Sequence, residues 1–243
     1  MFEVGRCLYG SQNYGLNGAN SDKDYKVFFC PRFHDLYYCH RADKSDVPAI
    51  SHRGDELSPM DVRRFGELIL AGNINVTEYL FSTELHYAGP RFEEYWMAAR
   101  KLYNDGYLMI VWDKWFASLE GLVKNSFDRY GVARKSMSRA YYFYMFSMKL
   151  VELDFHMTDD SWRDNYWNQY VHTMRFDENS WMPSQEELYA SLDFVKNAGR
   201  EKVVKLKEEK PELFNRLTED AWALKERMFN FVREVSFNDN GTC

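Results

Sequence analysis

Cysteine is scarce. Four residues at positions 7, 30, 39 and 243 are too few and too scattered for a disulfide framework, which fits a reducing cytoplasm. No apolar run approaches the roughly 20 residues that span a bilayer, so no membrane partner is expected. The opening MFEVGRCLYG lacks a basic segment followed by an apolar core, so no secretion signal is read there. Internal repeats and low-complexity tracts are also missing. Cations do not dominate: Lys+Arg 31 against Asp+Glu 37 leaves a net charge of −6. That balance argues against broad coating of nucleic acid, though a local basic groove stays open. What is present is apolar and aromatic. Hydrophobic residues make up 45% and aromatics 17% of the 243 residues, which excludes a disordered chain and allows a sizeable core.

Along the chain, residues 4–9 form a short apolar run that ends at Gly10. The following SQNYGLNGANSD has turn composition. Residues 25–30, YKVFFC, read as a strand stopped by Pro31. Residues 36–39 fit either a strand or a helical turn, and residues 42–55 are polar and loop-like. Ser58-Pro59 reads as an N-cap and first turn, followed by Val62, Phe65, Leu68, Ile69 and Ala71 at helical spacing. Gly72-Asn73 stops that helix, and a second covers 76–81. After Pro90 the pattern is helical, over 91–104, 110–129, 133–155, 185–210 and 211–235, with a break at 179–183. The expected architecture is α/β. A small mixed sheet with flanking helices fills residues 1–88, and a helical domain fills 89–243.

The chemistry concentrates near the start. A strand ending at Gly10-Ser11 can offer backbone N–H groups and a hydroxyl to a phosphate. Asp22 and Asp24 stand at i and i+2, so on a strand both carboxylates share a face. Like charges on one face call for a cation, and Mg²⁺ held by carboxylates and substrate phosphates is the usual one. Taken singly, Asp-x-Asp and Gly-Ser occur mostly as solvated turns or caps. Their combination between two β-prone runs is far more specific.

GSQNYGLNGANSDKDYKVFF resembles the signature of the DNA polymerase β-like nucleotidyltransferase superfamily. Within it, the segment is most similar to the minimal, RNA-repair-pathway-associated group frequent in bacteria and their phages. That group shows Gly-Ser, Tyr-Gly-Leu and Ser-Asp-x-Asp-Tyr, an acidic residue leading into a helix, and an Asn-Pro-Asn-x-x-Glu-like motif. Here Asp55-Glu56 precede the helix, and Asn73-Ile74-Asn75-Val76-Thr77-Glu78 follows, with Ile74 replacing the usual Pro. The likeness covers about residues 5–82. It implies that Gly10, Ser11 and Tyr14 contact the incoming NTP and that Asp22 and Asp24 hold two Mg²⁺ or Mn²⁺ ions. It also implies a third carboxylate that completes the metal site and helps deprotonate the acceptor hydroxyl. Glu56 takes that role by spacing from the helix, with Asp55 the alternative, because one residue of slip on a strand swaps faces. The implied reaction is attack on the α-phosphorus of an NTP with loss of pyrophosphate. An RNA end is the implied acceptor, and the setting is the cytoplasm, that of the host if the chain is phage-encoded.

Other candidates follow from composition. Lys124, Arg129, Arg134, Lys135 and Arg139 form a basic stretch that reads as a solvated helix face or as a triphosphate or RNA contact, with Lys135 and Arg139 favoured for the latter. Lys26 fits a phosphate contact or a solvated strand edge. Cys30, His34, Cys39 and His40 match no common zinc spacing, and the two cysteines are expected to pack as small apolar residues. Asn73 reads as structural, while Asn75 and Glu78 could cap or contact nucleotide. The aromatic run 141–146 is expected in the core rather than as a base-stacking surface. Two further readings remain: the same transfer onto a protein or a small molecule such as an antibiotic, or a non-catalytic nucleotide-binding or interaction protein.

Overall fold

The computed structural model describes residues 1–13, 15–18, 21–39, 56–158 and 165–237. Strand β1 (Phe2–Tyr9) runs into a single 3-10 turn at Gly10–Gln12 and pairs antiparallel with β2 (Asp24–Cys30), Tyr9 opposite Asp24 and Cys7 opposite Lys26. A bulge between Glu3 and Gly5 shifts the register at the far end. The short helix α1 (Phe33–Tyr37) follows, resolving residues 36–39 as helix end and turn. Strand β3 (Glu56–Asp61) lies parallel to β2, with Glu56 opposite Asp24 and Ser58 opposite Lys26. Strand β4 (Leu85–Tyr87) closes the other side of β1, giving the order β3-β2-β1-β4.

Ser58-Pro59 therefore sits in a strand and does not open a helix. Pro59 lacks a ladder donor, and β3 tolerates it because it is an edge strand. Helix α2 (Val62–Leu70) starts three residues later, capped by the Asp61 carboxylate, which accepts from the Arg63 amide at 2.9 Å. Asn73 caps α3 (Ile74–Leu80) in the same way, accepting from the Asn75 amide.

The remaining chain forms α4 (Pro90–Asn104), α5 (Trp112–Tyr130), α6 (Arg134–Glu152), α7 (Asn165–Phe176), α8 (Gln185–Glu209) and α9 (Pro211–Phe237). Helix α7 and strand β4 are not anticipated by the sequence pattern. In α7 the described buried positions are Val171 and Met174, a stripe too narrow to stand out against its polar neighbours.

The core joins sheet and helices. Phe28 of β2 meets Phe65 at 4.6 Å and Trp96 at 5.2 Å between ring centroids, and Phe65 stacks on Trp96 at 5.0 Å. Phe92 of α4 reaches Phe231 of α9 at 5.8 Å. The expected boundary near residue 88 falls in the turn between β4 and α4, and one buried cluster runs from Val4 to Val235 across it. The result is a mixed α/β fold: a small four-stranded sheet with flanking helices, followed by a helical C-terminal region. Among the described residues no helix is long and apolar enough to cross a membrane.

Candidate active site

Register builds the centre of the site. Tyr9, Asp24 and Glu56 occupy one row across β1, β2 and β3, on strands that neighbour each other at about 4.7–4.9 Å. Asp22 lies two residues before Asp24, just outside the strand, and is exposed. Burial raises the Asp24 carboxyl above the ordinary carboxylate range, and the charges of Glu56 and Asp22 push the same way. Lys135 and Arg139 oppose them. The Tyr9 phenol is pushed up to about 12, by burial first and then by Asp24 and Glu56, so it keeps its proton beside the carboxylates.

Gly10 makes that row fit. Its φ of +79° suits glycine, and a Cβ there would lie 2.9 Å from Asp24 Oδ2. The Gly10 amide does not face outward as the cradle reading expected. It donates to the Glu78 carboxylate, which α3 holds at 1% exposure. The Asn13 side chain donates to the Glu78 carbonyl at 3.1 Å and accepts from the Thr83 amide at 2.9 Å. Gln12 donates to the Ser21 carbonyl at 3.0 Å, tying the Ser11 turn to the segment that carries Asp22. Glu78 and Asn13 thus fix the turn, and Ser11 stays half-buried at its corner.

Lys26 is not a solvated edge residue. It is 8% exposed, donates to Ser58 Oγ at 2.6 Å, and sits 5.1 Å from the Tyr9 ring and 5.7 Å from the Tyr79 ring. Burial lowers its ammonium pKa, while Cys7, Glu78 and Glu56 favour the charge. Lys26 is a fixed counter-charge in the row behind Asp24, a consequence of the two-residue period that places both on one face.

Two cations from the helical region, Lys135 and Arg139, act on Asp24 through their charge. Lys135 and Arg139 lie in the first turns of α6. Arg175 of α7 donates to the Leu16 carbonyl at 2.6 Å, and burial together with Arg139 lowers its guanidinium pKa. Sequence reasoning missed Arg175 and Tyr9. Tyr9 had a signal, as the last residue before Gly10, whereas Arg175 contacts a loop 159 residues away. Arg134 belongs elsewhere. It grips the end of α7, donating to the carbonyls of Met174 at 2.8 Å and of Glu178, and to Ser180 Oγ at 3.1 Å. Lys124 and Arg129 are exposed.

Asp55, Tyr14 and His40 lie outside the described residues. Cys30 is buried in the core and Cys39 is exposed. Tyr142, Phe143 and Phe146 are buried, as the core reading of that run expected. Among the described residues no three His, Cys, Asp or Glu side chains form a ready-made metal group. Asp22, Asp24 and Glu56 carry carboxylate oxygens, the ligand type of Mg²⁺ and Mn²⁺. Comparison with protein-family models, curated proteins and solved structures finds no match.

Proposed function

We propose that the chain is a phosphoryl-transfer enzyme. Within that class we read it as a nucleotidyltransferase that moves an NMP from an NTP to an acceptor hydroxyl, with an RNA end as acceptor and the cytoplasm as its setting. The observation that carries the reading is the pairing of Asp24 with Glu56 across β2 and β3, with Asp22 two residues away and the charges of Lys135 and Arg139 acting on Asp24.

Charges of both signs acting on one carboxylate suit a ligand that carries both, a divalent cation on a polyphosphate. Ser11, Arg139 and Arg175 would hold the phosphates, with charge-assisted bonds to the guanidiniums. Mg²⁺ or Mn²⁺ held by Asp22, Asp24 and Glu56 would neutralise charge on the attacking and leaving oxygens. The acceptor oxygen bonds to the α-phosphorus as the bond from that phosphorus to the bridging β-oxygen breaks. Pyrophosphate leaves towards Arg139 and Arg175, and the hydroxyl proton passes to the Glu56 carboxylate. The neutral Tyr9 phenol can donate a hydrogen bond beside the transfer. Lys26 and Glu78 position Asp24 and the Ser11 turn without touching substrate.

The test is nucleotidyl transfer by full-length Asp22→Asn and Asp24→Asn proteins that keep wild-type circular dichroism. Each should lose at least about a hundredfold, the range expected when a preorganised charge is removed. Wild-type rates in both would refute the reading.

A further inference from the structure

The turn between α5 and α6 carries an aromatic surface that the core does not use. Tyr130, the last residue of α5, is 50% exposed, and Val132 beside it is 54% exposed. The Arg129 guanidinium lies 5.2 Å and the Lys135 ammonium 5.6 Å from the Tyr130 ring centroid. Gly131 turns the chain at φ +65°, and a Cβ on it would meet no atom within 4 Å, so the turn is open to an incoming chain. Lys135 flanks Tyr130 from the first turn of α6, the helix that also carries Arg139.

We propose that this turn is the docking platform for a single-stranded RNA acceptor, an inference that rests on the nucleotidyltransferase reading. A nucleobase stacks on Tyr130, and Arg129 and Lys135 meet the phosphates on either side of it. Three arguments favour that occupant. An exposed ring bracketed by cations is the pairing that single-strand binders use, since every base has a face to stack and every linkage a charge to neutralise. The chain is net negative and the carboxylate row repels a phosphate backbone, so a strand that reaches the row needs local cations beside it. A duplex hides its base faces, which makes the platform selective for single strands. A second exposed pair, Trp222 with the Lys225 ammonium at 4.8 Å on α9, serves as a control.

The experiment measures binding of a fluorescein-labelled single-stranded RNA and, separately, of a fluorescent Mg²⁺–NTP, to the full-length protein. Tyr130→Ala should weaken RNA binding by about tenfold and leave NTP binding unchanged, and Tyr130→Phe should restore it. Arg129→Gln should lower the slope of log affinity against log salt by about 0.7. Trp222→Ala should change neither ligand. Wild-type RNA affinity in Tyr130→Ala overturns the platform, as does equal affinity for a duplex. NTP binding with no RNA binding also overturns it and moves the acceptor to a protein or small molecule. RNA binding that depends on Tyr130, with no NTP binding, keeps the platform and refutes the nucleotidyltransferase reading.

Discussion

Asp24 is held under electrostatic stress that its neighbours only partly relieve. The folded protein keeps its proton to higher pH than the unfolded chain does, because burial, Glu56 and Asp22 all disfavour the anion. As pH rises from the ordinary carboxylate value through the raised one, the fold loses stability, and at neutral pH the charged Asp24 costs the protein. Asp24→Asn should accordingly raise Tm at pH 7 while abolishing transfer, by roughly 2–4 °C for each 1 kcal/mol relieved. Differential scanning fluorimetry in metal-free buffer measures this, and an unchanged or lower Tm would contradict it. Asp24 was readable from its spacing to Asp22, as a local pattern. Lys26 was not, because its burial depends on Tyr9, Tyr79 and Ser58 from three other elements.

At the scale of elements, two polar ties hold the site's parts in register. Glu84, just before β4, accepts from Lys23 Nζ at 2.5 Å and from the Tyr25 hydroxyl at 2.6 Å, and those bonds hold its carboxyl below the ordinary glutamate range. This contribution is present above the unfolded value near pH 4.3 and is lost as pH falls through the depressed folded one. Both partners are substantially exposed, so the effect is small and salt-screened. Glu84→Gln should flatten the acid side of the Tm–pH curve, and an unaltered curve would argue against the tie. Arg134 performs the second. By binding Met174, Glu178 and Ser180 it fastens the end of α7, and with it Arg175, to α6. Arg134→Ala should cost about 1.5–3 kcal/mol in chemical denaturation and raise KM for NTP more than it lowers kcat. A selective fall in kcat would instead place Arg134 in the chemistry. Neither tie was legible beforehand. The Ser58-Pro59 pair even pointed to a helix start, because a capping signal is local whereas the parallel pairing of β3 with β2 is not.

For the whole molecule, strong local patterns were readable. The runs that form β1 and β2, the long helices after Pro90 and the mixed α/β class follow from β-propensity and helical periodicity. The carboxylate half of the site belongs to that readable part, since Asp22 and Asp24 stand together in the chain and Glu56 opens the next strand. The cationic half is assembled from α6 and α7, and only the clustering of Lys135 and Arg139 hinted at it. One core crossing from the sheet into α4 and α9 holds both halves. Their opposition defines the central claim, which α- and γ-labelled NTP test side by side with Mg²⁺ in a lysate that holds RNA and protein. Label from the α-position alone, removed by nuclease and absent with Asp24→Asn, is the predicted result. Transfer of the γ-label, or α-labelling that persists without Asp24, would contradict the account.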